Sequence, residues 1–339
     1  MAHVTINVEQ FRRALAANIA AGVPTLVFAH PGIGKTEASE GVCAQLKDRF
    51  PGGCFTLSTT DFTSLDLGGL WQVENGKTVR RPVDFIPLDK PVFILIDEFA
   101  DCPAHEQSGW YRLANNHMLG NAKLAPGSYV CVASNRPRDN AAANEVSSAF
   151  KGRCSIFELR ADWKVTLNYG NAHQWAPSIL GFIRAFGQEV IDNGFDPNCE
   201  FGGCTPRDFD HLARMERAGV ISKKDSELAL AQCVSKLGPN AGSKYHAFRA
   251  IEIPSVDQVY TSPATAIIPD SIETQCAFAA AIVGGATPAT WGNVVEYALR
   301  CDRVMGNGLC FDMAKRHPEF KKSPAFTKAA VAFIDLYTA

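Results

Sequence analysis

The sequence predicts an α/β domain built on a five-stranded parallel sheet, followed by a helical domain and a helical C-terminal extension. Three observations lead there. Short, almost wholly apolar runs recur through the first 160 residues with helical segments between them. That is the pattern of strands buried on both faces of a parallel sheet. A glycine-containing turn ending in Gly34-Lys35-Thr36 joins the first of these runs to a helix. After about Ala161 the strand-like runs stop, and apolar residues recur at helical spacing. The boundaries expected from this reading are 1–160, 161–250 and 251–339. A length of 339 residues fits two or three domains.

Taken in order, Val8, Phe11, Leu15 and Ile19 make a helical stripe with Glu9, Arg12 and Arg13 opposite, and Gly22 ends it. Pro24–Phe28 reads as a buried strand, and a helix is expected from about Lys35. Cys54–Thr59 is a second strand. Asn75-Gly76 between short alternating runs predicts a two-residue hairpin. Val92–Ile96, Tyr129–Ala133 and Ser155–Leu159 complete the sheet. Beyond it, Ile179, Ile183, Phe186 and Val190 form a helical stripe closed by Asn193-Gly194. Thr205-Pro206 opens a helix, with Asp208 placed for a capping box. Another helix is expected from Ser222–Asp225 to Gly238, and further starts at Thr287-Pro288 and Ser323-Pro324.

Composition narrows the class. The chain is 46% hydrophobic and 20% charged, with a net charge of −2. That is enough apolar content for real cores, and too little positive charge for a general polyanion binder. No apolar run reaches the roughly 20 residues a membrane helix needs. The first residues carry no apolar core of a secretory signal, so none is expected. The 11 cysteines are scattered, and several lie inside apolar runs, which fits a reducing, cytoplasmic setting. Cys199 and Cys204 form the one close pair, a weak zinc signal, and the 8 histidines show no metal-binding spacing.

The chemistry-bearing residues cluster at strand ends. Ala29-His30-Pro31-Gly32-Ile33-Gly34-Lys35-Thr36 lies between a strand and a helix, the setting of a phosphate-binding loop. Gly32 and Gly34 let backbone N–H groups converge on phosphate oxygens, and the helix N-terminus favours the negative charge. Lys35 can reach the β- and γ-phosphates of a bound nucleotide, and Thr36 can ligate Mg²⁺. Asp97 and Glu98 end the apolar run from Val92. At the C-terminal edge of a parallel sheet, Asp97 would join the Mg²⁺ shell and Glu98 would polarise an attacking water. Asn135 ends the run from Tyr129. It would hold that water if its strand lies between those of the loop and of Asp97; the alternative is a turn residue before Arg136-Pro137. Arg153 precedes the last strand. Arg207 is the second residue of the helix opened by Thr205, where a cation opposes the helix dipole unless an anion binds there; the alternative is a solvated surface arginine.

These residues resemble the AAA+ ATPases and, within them, the MoxR-like group. Ala29–Thr36 resembles Walker A, and Ile94–Glu98 resembles Walker B with its catalytic glutamate. Asn135 is similar to sensor 1, Arg153 to the arginine finger and Thr205-Pro206-Arg207 to sensor 2. Asp66-Leu-Gly-Gly-Leu70 with the Asn75-Gly76 hairpin resembles the MoxR-like helix-2 insert. Lys123-Leu124 and Ala133-Ser-Asn-Arg136 resemble the segment leading into sensor 1. The likeness runs from about residue 22 to 215. Ala29 stands where Walker A has a first glycine, and Phe99-Ala-Asp-Cys102 replaces an Asn-Arg-Ala run. Lys151-Gly-Arg153-Cys154 stands where Asp-Arg-Phe is usual, so Arg136 or Arg138 is the alternative trans-acting arginine.

The resemblance implies an AAA+ core, a helical lid and an extension. It implies ATP and Mg²⁺ as cofactors, a homo-oligomeric and usually hexameric ring, and hydrolysis coupled to remodelling of a protein client. A partner with a von Willebrand factor A domain is among those implied. Two other readings remain: a nucleic-acid motor or loader, disfavoured by the net charge, and a nucleotide-gated scaffold, disfavoured by the presence of Glu98. The hairpin, with Lys77, Arg80 and Arg81, would carry motion to a substrate or is simply solvated.

Overall fold

The computed structural model describes residues 4–81, 84–136, 139, 144, 146–195, 204–221 and 226–333. Contacts divide the chain into two compact units, Met1–Ala161 and Asp162–Ala339. The second unit holds both segments expected as lid and extension.

In the first unit the order is β1 (Val4–Ile6), α1 (Val8–Ala21), β2 (Thr25–Ala29), α2 (Lys35–Gln45), β3 (Cys54–Ser58), α3 (Ser64–Gly68), β4 (Leu70–Glu74), β5 (Lys77–Arg81), β6 (Phe93–Asp97), α4 (Gln107–Asn116), β7 (Met118–Leu119), β8 (Ala122–Lys123), β9 (Tyr129–Asn135), α5 (Ser148–Lys151) and β10 (Ser155–Leu159). The main sheet runs β1-β10-β2-β9-β6-β3 with every pair parallel. It therefore has the five expected strands and a sixth. The added β1 is three residues long, exposed at two of them and paired on one side only, so it leaves no apolar run in the sequence.

The central strands β2, β9 and β6 are buried on both faces because their alternate side chains serve different layers. Leu26, Phe28, Ile94, Ile96, Val130 and Val132 pack into one core with Trp110 and Leu113 of α4. Cys131 turns the other way, towards Ser39 of α2. Helix α1 starts at a reciprocal cap. The Gln10 N–H donates to Asn7 Oδ1, and the Asn7 N–H donates to Gln10 Oε1, both at 2.9 Å. It buries Phe11, Leu15 and Ile19 and stops at Gly22, whose φ of 69° is left-handed. In the β4–β5 hairpin Asn75 and Gly76 have φ of 52° and 75°, the paired positive angles of a type I′ turn.

The second unit is helical: α6 (Trp163–Ala172), α7 (Pro177–Gly187), α8 (Pro206–Arg217), α9 (Ser226–Phe248), α10 (Val256–Thr261), α11 (Ile272–Gly285), α12 (Trp291–Ala298), α13 (Arg303–Arg316) and α14 (Pro324–Ala332). Helix α7 lies directly on α11, and the approach is close at Gly181. A Cβ there would stand 2.9 Å from the Cys276 carbonyl oxygen. Beyond this contact, Phe278, Ile282, Trp291, Val295, Leu309, Met313 and Phe320 share a continuous core. Ser323 caps α14, accepting from the Phe326 N–H at 3.1 Å.

The expected helix end at Gly238 is present, and a second helix follows it at once. Gly238 adopts φ 78° and ψ 169°, Pro239 follows, and helix resumes to Phe248. A Gly-Pro pair disrupts helical hydrogen bonding but leaves the next residues free to restart it. The two halves then fold closely together. A Cβ on Gly242 would stand 2.6 Å from Val234 Cα and 2.7 Å from the Cys233 carbonyl oxygen. Those are backbone atoms that cannot swing aside. Gly242→Ala is therefore expected to destabilise this unit by about 1–3 kcal/mol, read as a lower urea midpoint at unchanged slope.

Among the described residues no helix is long and apolar enough to cross a membrane, and no group of three or more His, Cys, Asp or Glu side chains is placed to hold a metal ion. Cys199 of the Cys199–Cys204 pair lies outside the described residues.

Candidate functional site

The site forms where β2, β9, β6 and β3 end side by side. The parallel register pairs Ala29 with Asn135 and Asp97 with Ser58, while β6 and β9 are adjacent. One edge of the sheet thus collects the turn after β2 and the ends of its neighbours.

That turn runs from Ala29, fully buried at the end of β2, to Lys35 at the start of α2. Gly32 and Gly34 have φ of 77° and 100°, angles a side chain strongly disfavours. His30 is buried, and its Nδ1 lies 2.8 Å from the Pro31 carbonyl oxygen. Burial pulls the His30 pKa below the ordinary histidine value, so its ring is mainly neutral at pH 7. Pro31 is exposed, whereas Ile33 is buried and anchors the turn.

Lys35 is only 8% exposed. Its Nζ donates to Asn135 Oδ1 at 2.9 Å and lies 3.4 Å from the Ala29 carbonyl oxygen. Thr36 Oγ1 donates to Asp97 Oδ2 at 2.5 Å. The other Asp97 oxygen accepts from the Glu98 N–H at 2.8 Å. Glu98 is exposed and holds a left-handed backbone, φ 59° and ψ 32°, uncommon for a residue with a side chain. Its carboxylate Oε2 accepts from Ser58 Oγ at 2.6 Å and Thr60 Oγ1 at 3.0 Å. Its carbonyl accepts from Thr59 Oγ1 at 2.8 Å.

Most of the sequence-predicted residues therefore meet. Ala29, His30, Pro31, Gly32, Ile33, Gly34, Lys35, Thr36, Asp97, Glu98 and Asn135 share one sheet edge. Arg153 does not join them within the chain. It precedes β10, whose first residue, Ser155, pairs with Thr25, the first residue of β2. Arg153 therefore stands at the opposite edge, about 13 Å of strand away. It is exposed, and its Nη1 donates to the Ala149 carbonyl at 3.1 Å. Arg207 belongs to the helical unit. It is exposed, one residue after Pro206 at the start of α8. The expected capping box is present: the Thr205 N–H and Oγ1 both donate to Asp208 Oδ2, at 3.0 and 2.6 Å.

Of the alternative arginines, Arg136 is held in its own chain by Asp139 on one side and by Glu158 at 3.4 Å on the other. Arg138 lies outside the described residues. The sequence reading missed Ser58 and Thr60, the hydroxyls on Glu98. Their only signal was a run of three hydroxyl residues, Ser58-Thr59-Thr60, directly after an apolar strand.

No protein-family model matches the chain, and no curated protein matches it. Among solved structures it is similar to a RuvB variant from Thermotoga maritima, at 16% identity and a TM-score of 0.38, over 72% of this chain and 69% of that one. A second Thermotoga maritima RuvB variant gives 15% identity and a TM-score of 0.39 over the same shares. NtrX from Brucella abortus gives 12% identity and a TM-score of 0.36, over 73% of this chain and 51% of NtrX. These likenesses are distant, and the reading of the site rests on its own residues.

Proposed function

We propose that this chain is a Mg²⁺-dependent ATP hydrolase of the AAA+ type, MoxR-like, working as a homo-oligomeric ring on a protein client. One observation carries the reading. Two hydrogen bonds, Lys35 to Asn135 and Thr36 to Asp97, tie the glycine turn to the ends of two other strands at one sheet edge. A glycine turn serving only to reverse the chain has no need of a buried lysine, a carboxylate and an amide converging on it.

The residues also suit the ion. The Thr36 hydroxyl and Asp97 carboxylate are adjacent hard oxygen donors, the kind Mg²⁺ prefers. When bound, Mg²⁺ would neutralise phosphate charge, held by Thr36 and Asp97. The rest of the work falls to the chain. Backbone N–H groups from Gly32 to Thr36, at the N-terminus of α2, bind phosphate oxygens. Lys35 pairs with the terminal phosphates. Glu98 turns its carboxylate from Ser58 and Thr60 to orient a water and accept its proton. Asn135 positions that water. Arg207 would contribute from residues 161–250 acting as a lid, with 251–339 as an extension.

Arg153 gives the reason for a ring. At the far edge of its own sheet it is badly placed to serve its own Lys35, and its exposure suits a neighbouring subunit's nucleotide. Such a trans-acting arginine raises turnover by about 10³–10⁵ in related phosphoryl transfer. By resemblance the ring is a hexamer, and the client or its adaptor is a protein, with a von Willebrand factor A domain partner as one candidate.

The test is phosphate release from Mg·ATP by the full chain, measured beside Lys35→Ala. The variant is expected to bind ATP at least about tenfold more weakly, since it loses a charge-assisted contact. It is also expected to lose turnover. Equal rates in the two proteins would overturn the reading.

A further inference from the structure

We propose that Cys43 and Cys54 form a modification site: a dithiol that small-molecule disulfides oxidise to an intramolecular disulfide tying α2 to β3. The inference stands apart from the ATPase reading and uses none of its residues.

Three facts support it. Cys43, in the third turn of α2, and Cys54, the first residue of β3, line the same surface cavity of about 310 Å³, together with Glu40, Lys47 and Phe50. Gly53 sets this up: its φ of 106° turns the chain into β3 just before Cys54. The two thiols also differ in access. Among the described cysteines Cys54 is the exposed one, while Cys43 is 4% exposed. Finally, they sense each other. The neighbouring Cys54 thiol lowers the Cys43 pKa, and the same contact raises that of Cys54. The pair therefore shares its protons, with Cys54 holding one against the Cys43 sulfur.

The chemistry divides by access. The exposed Cys54 sulfur attacks one sulfur of a small disulfide such as oxidised glutathione while its proton passes to the adjacent Cys43 thiolate; the S–S bond breaks, and the small thiolate that leaves takes up that proton. The Cys43 thiolate then attacks Cys54 Sγ in the mixed disulfide. The Cys43–Cys54 bond forms and the second small thiol leaves. Two protein thiols are oxidised, one small disulfide is reduced, and the two protons leave with the released thiols. Cys43 is too enclosed to carry a bulky adduct but well placed to resolve one.

The experiment treats the full chain with oxidised glutathione at neutral pH, blocks free thiols by alkylation and maps peptides without reduction. The expected product is a peptide pair joined through Cys43 and Cys54, with Cys54 alkylation lowered about tenfold or more and restored by dithiothreitol. Cys43→Ser should instead keep a lasting glutathione on Cys54, and Cys54→Ser should yield neither product. Cys54 is exposed, so that second variant keeps its fold. A wild-type chain that retains glutathione on Cys54 beside an alkylatable Cys43 overturns the proposal. So does one in which Cys54 stays unmodified.

Discussion

Glu98→Gln is expected to bind ATP normally and to lose turnover by about 10²–10⁴-fold, the usual contribution of a positioned general base. Glutamine has the shape of glutamate, and its amide oxygen can still accept from Ser58 and Thr60, which hold the native carboxylate at 2.6 and 3.0 Å. The left-handed backbone at position 98 is no harder for glutamine than for glutamate. What is lost is proton affinity, since a neutral amide cannot take a proton from water. Binding should survive, because Lys35, Thr36 and the turn are untouched. The measurements are phosphate release, nucleotide affinity and thermal midpoint on one preparation. Undiminished turnover with normal affinity would remove Glu98 from the chemistry.

Arg184→Met is expected to cost the helical unit about 3–5 kcal/mol at neutral pH, the usual penalty for stranding a buried charge. Asp312 on α13 is 4% exposed. It accepts from Arg184 Nε of α7 at 3.1 Å and, more closely, from Nη2, while Asn171 Nδ2 of α6 lies 3.3 Å away. Burial raises the Asp312 pKa, and Arg184 pulls it back. Without the arginine the fold prefers the neutral acid still more. The sign follows from linkage: a carboxyl whose folded pKa is raised adds stability below its unfolded pKa and loses it as pH rises through the folded one. The deficit of Arg184→Met should therefore shrink as pH falls from 7.5 towards 4.5. Urea midpoints across that range read it, and the same deficit at every pH would contradict the account. Adding Asp312→Asn should recover part of the loss at pH 7.5.

Much of the fold was legible in short stretches. Ser155–Leu159 is a strand at the bounds its apolar run suggests. The Gly22 stop, the Asn75-Gly76 hairpin and the Thr205–Asp208 capping box all appear as expected. The missed elements lacked such marks. β1 is too short for a pattern, and α13 begins and ends in arginine with Gly306 and Gly308 inside it.

The site divides the same way. The turn from Ala29 to Thr36 and the acidic pair Asp97-Glu98 were readable because phosphate and Mg²⁺ impose residue types at fixed local spacing. The setting of Asn135 was not, because its role depended on which strand lay beside β2. The observed order, with β9 between β2 and β6, places Asn135 against Lys35. The Ser58 and Thr60 contacts to Glu98 and the Cys43–Cys54 pair were equally hidden, for they join residues on separate elements.

The sequence by itself determined the elements, their caps and the chemical types at the strand ends, because dihedral preferences and apolar periodicity act within a few residues. Tertiary structure alone decided which strand ends are neighbours, that Arg153 stands at the far edge from Lys35, and that Cys43 has a thiol for company. Strand pairing joins residues tens of positions apart, and no local energy term records that choice.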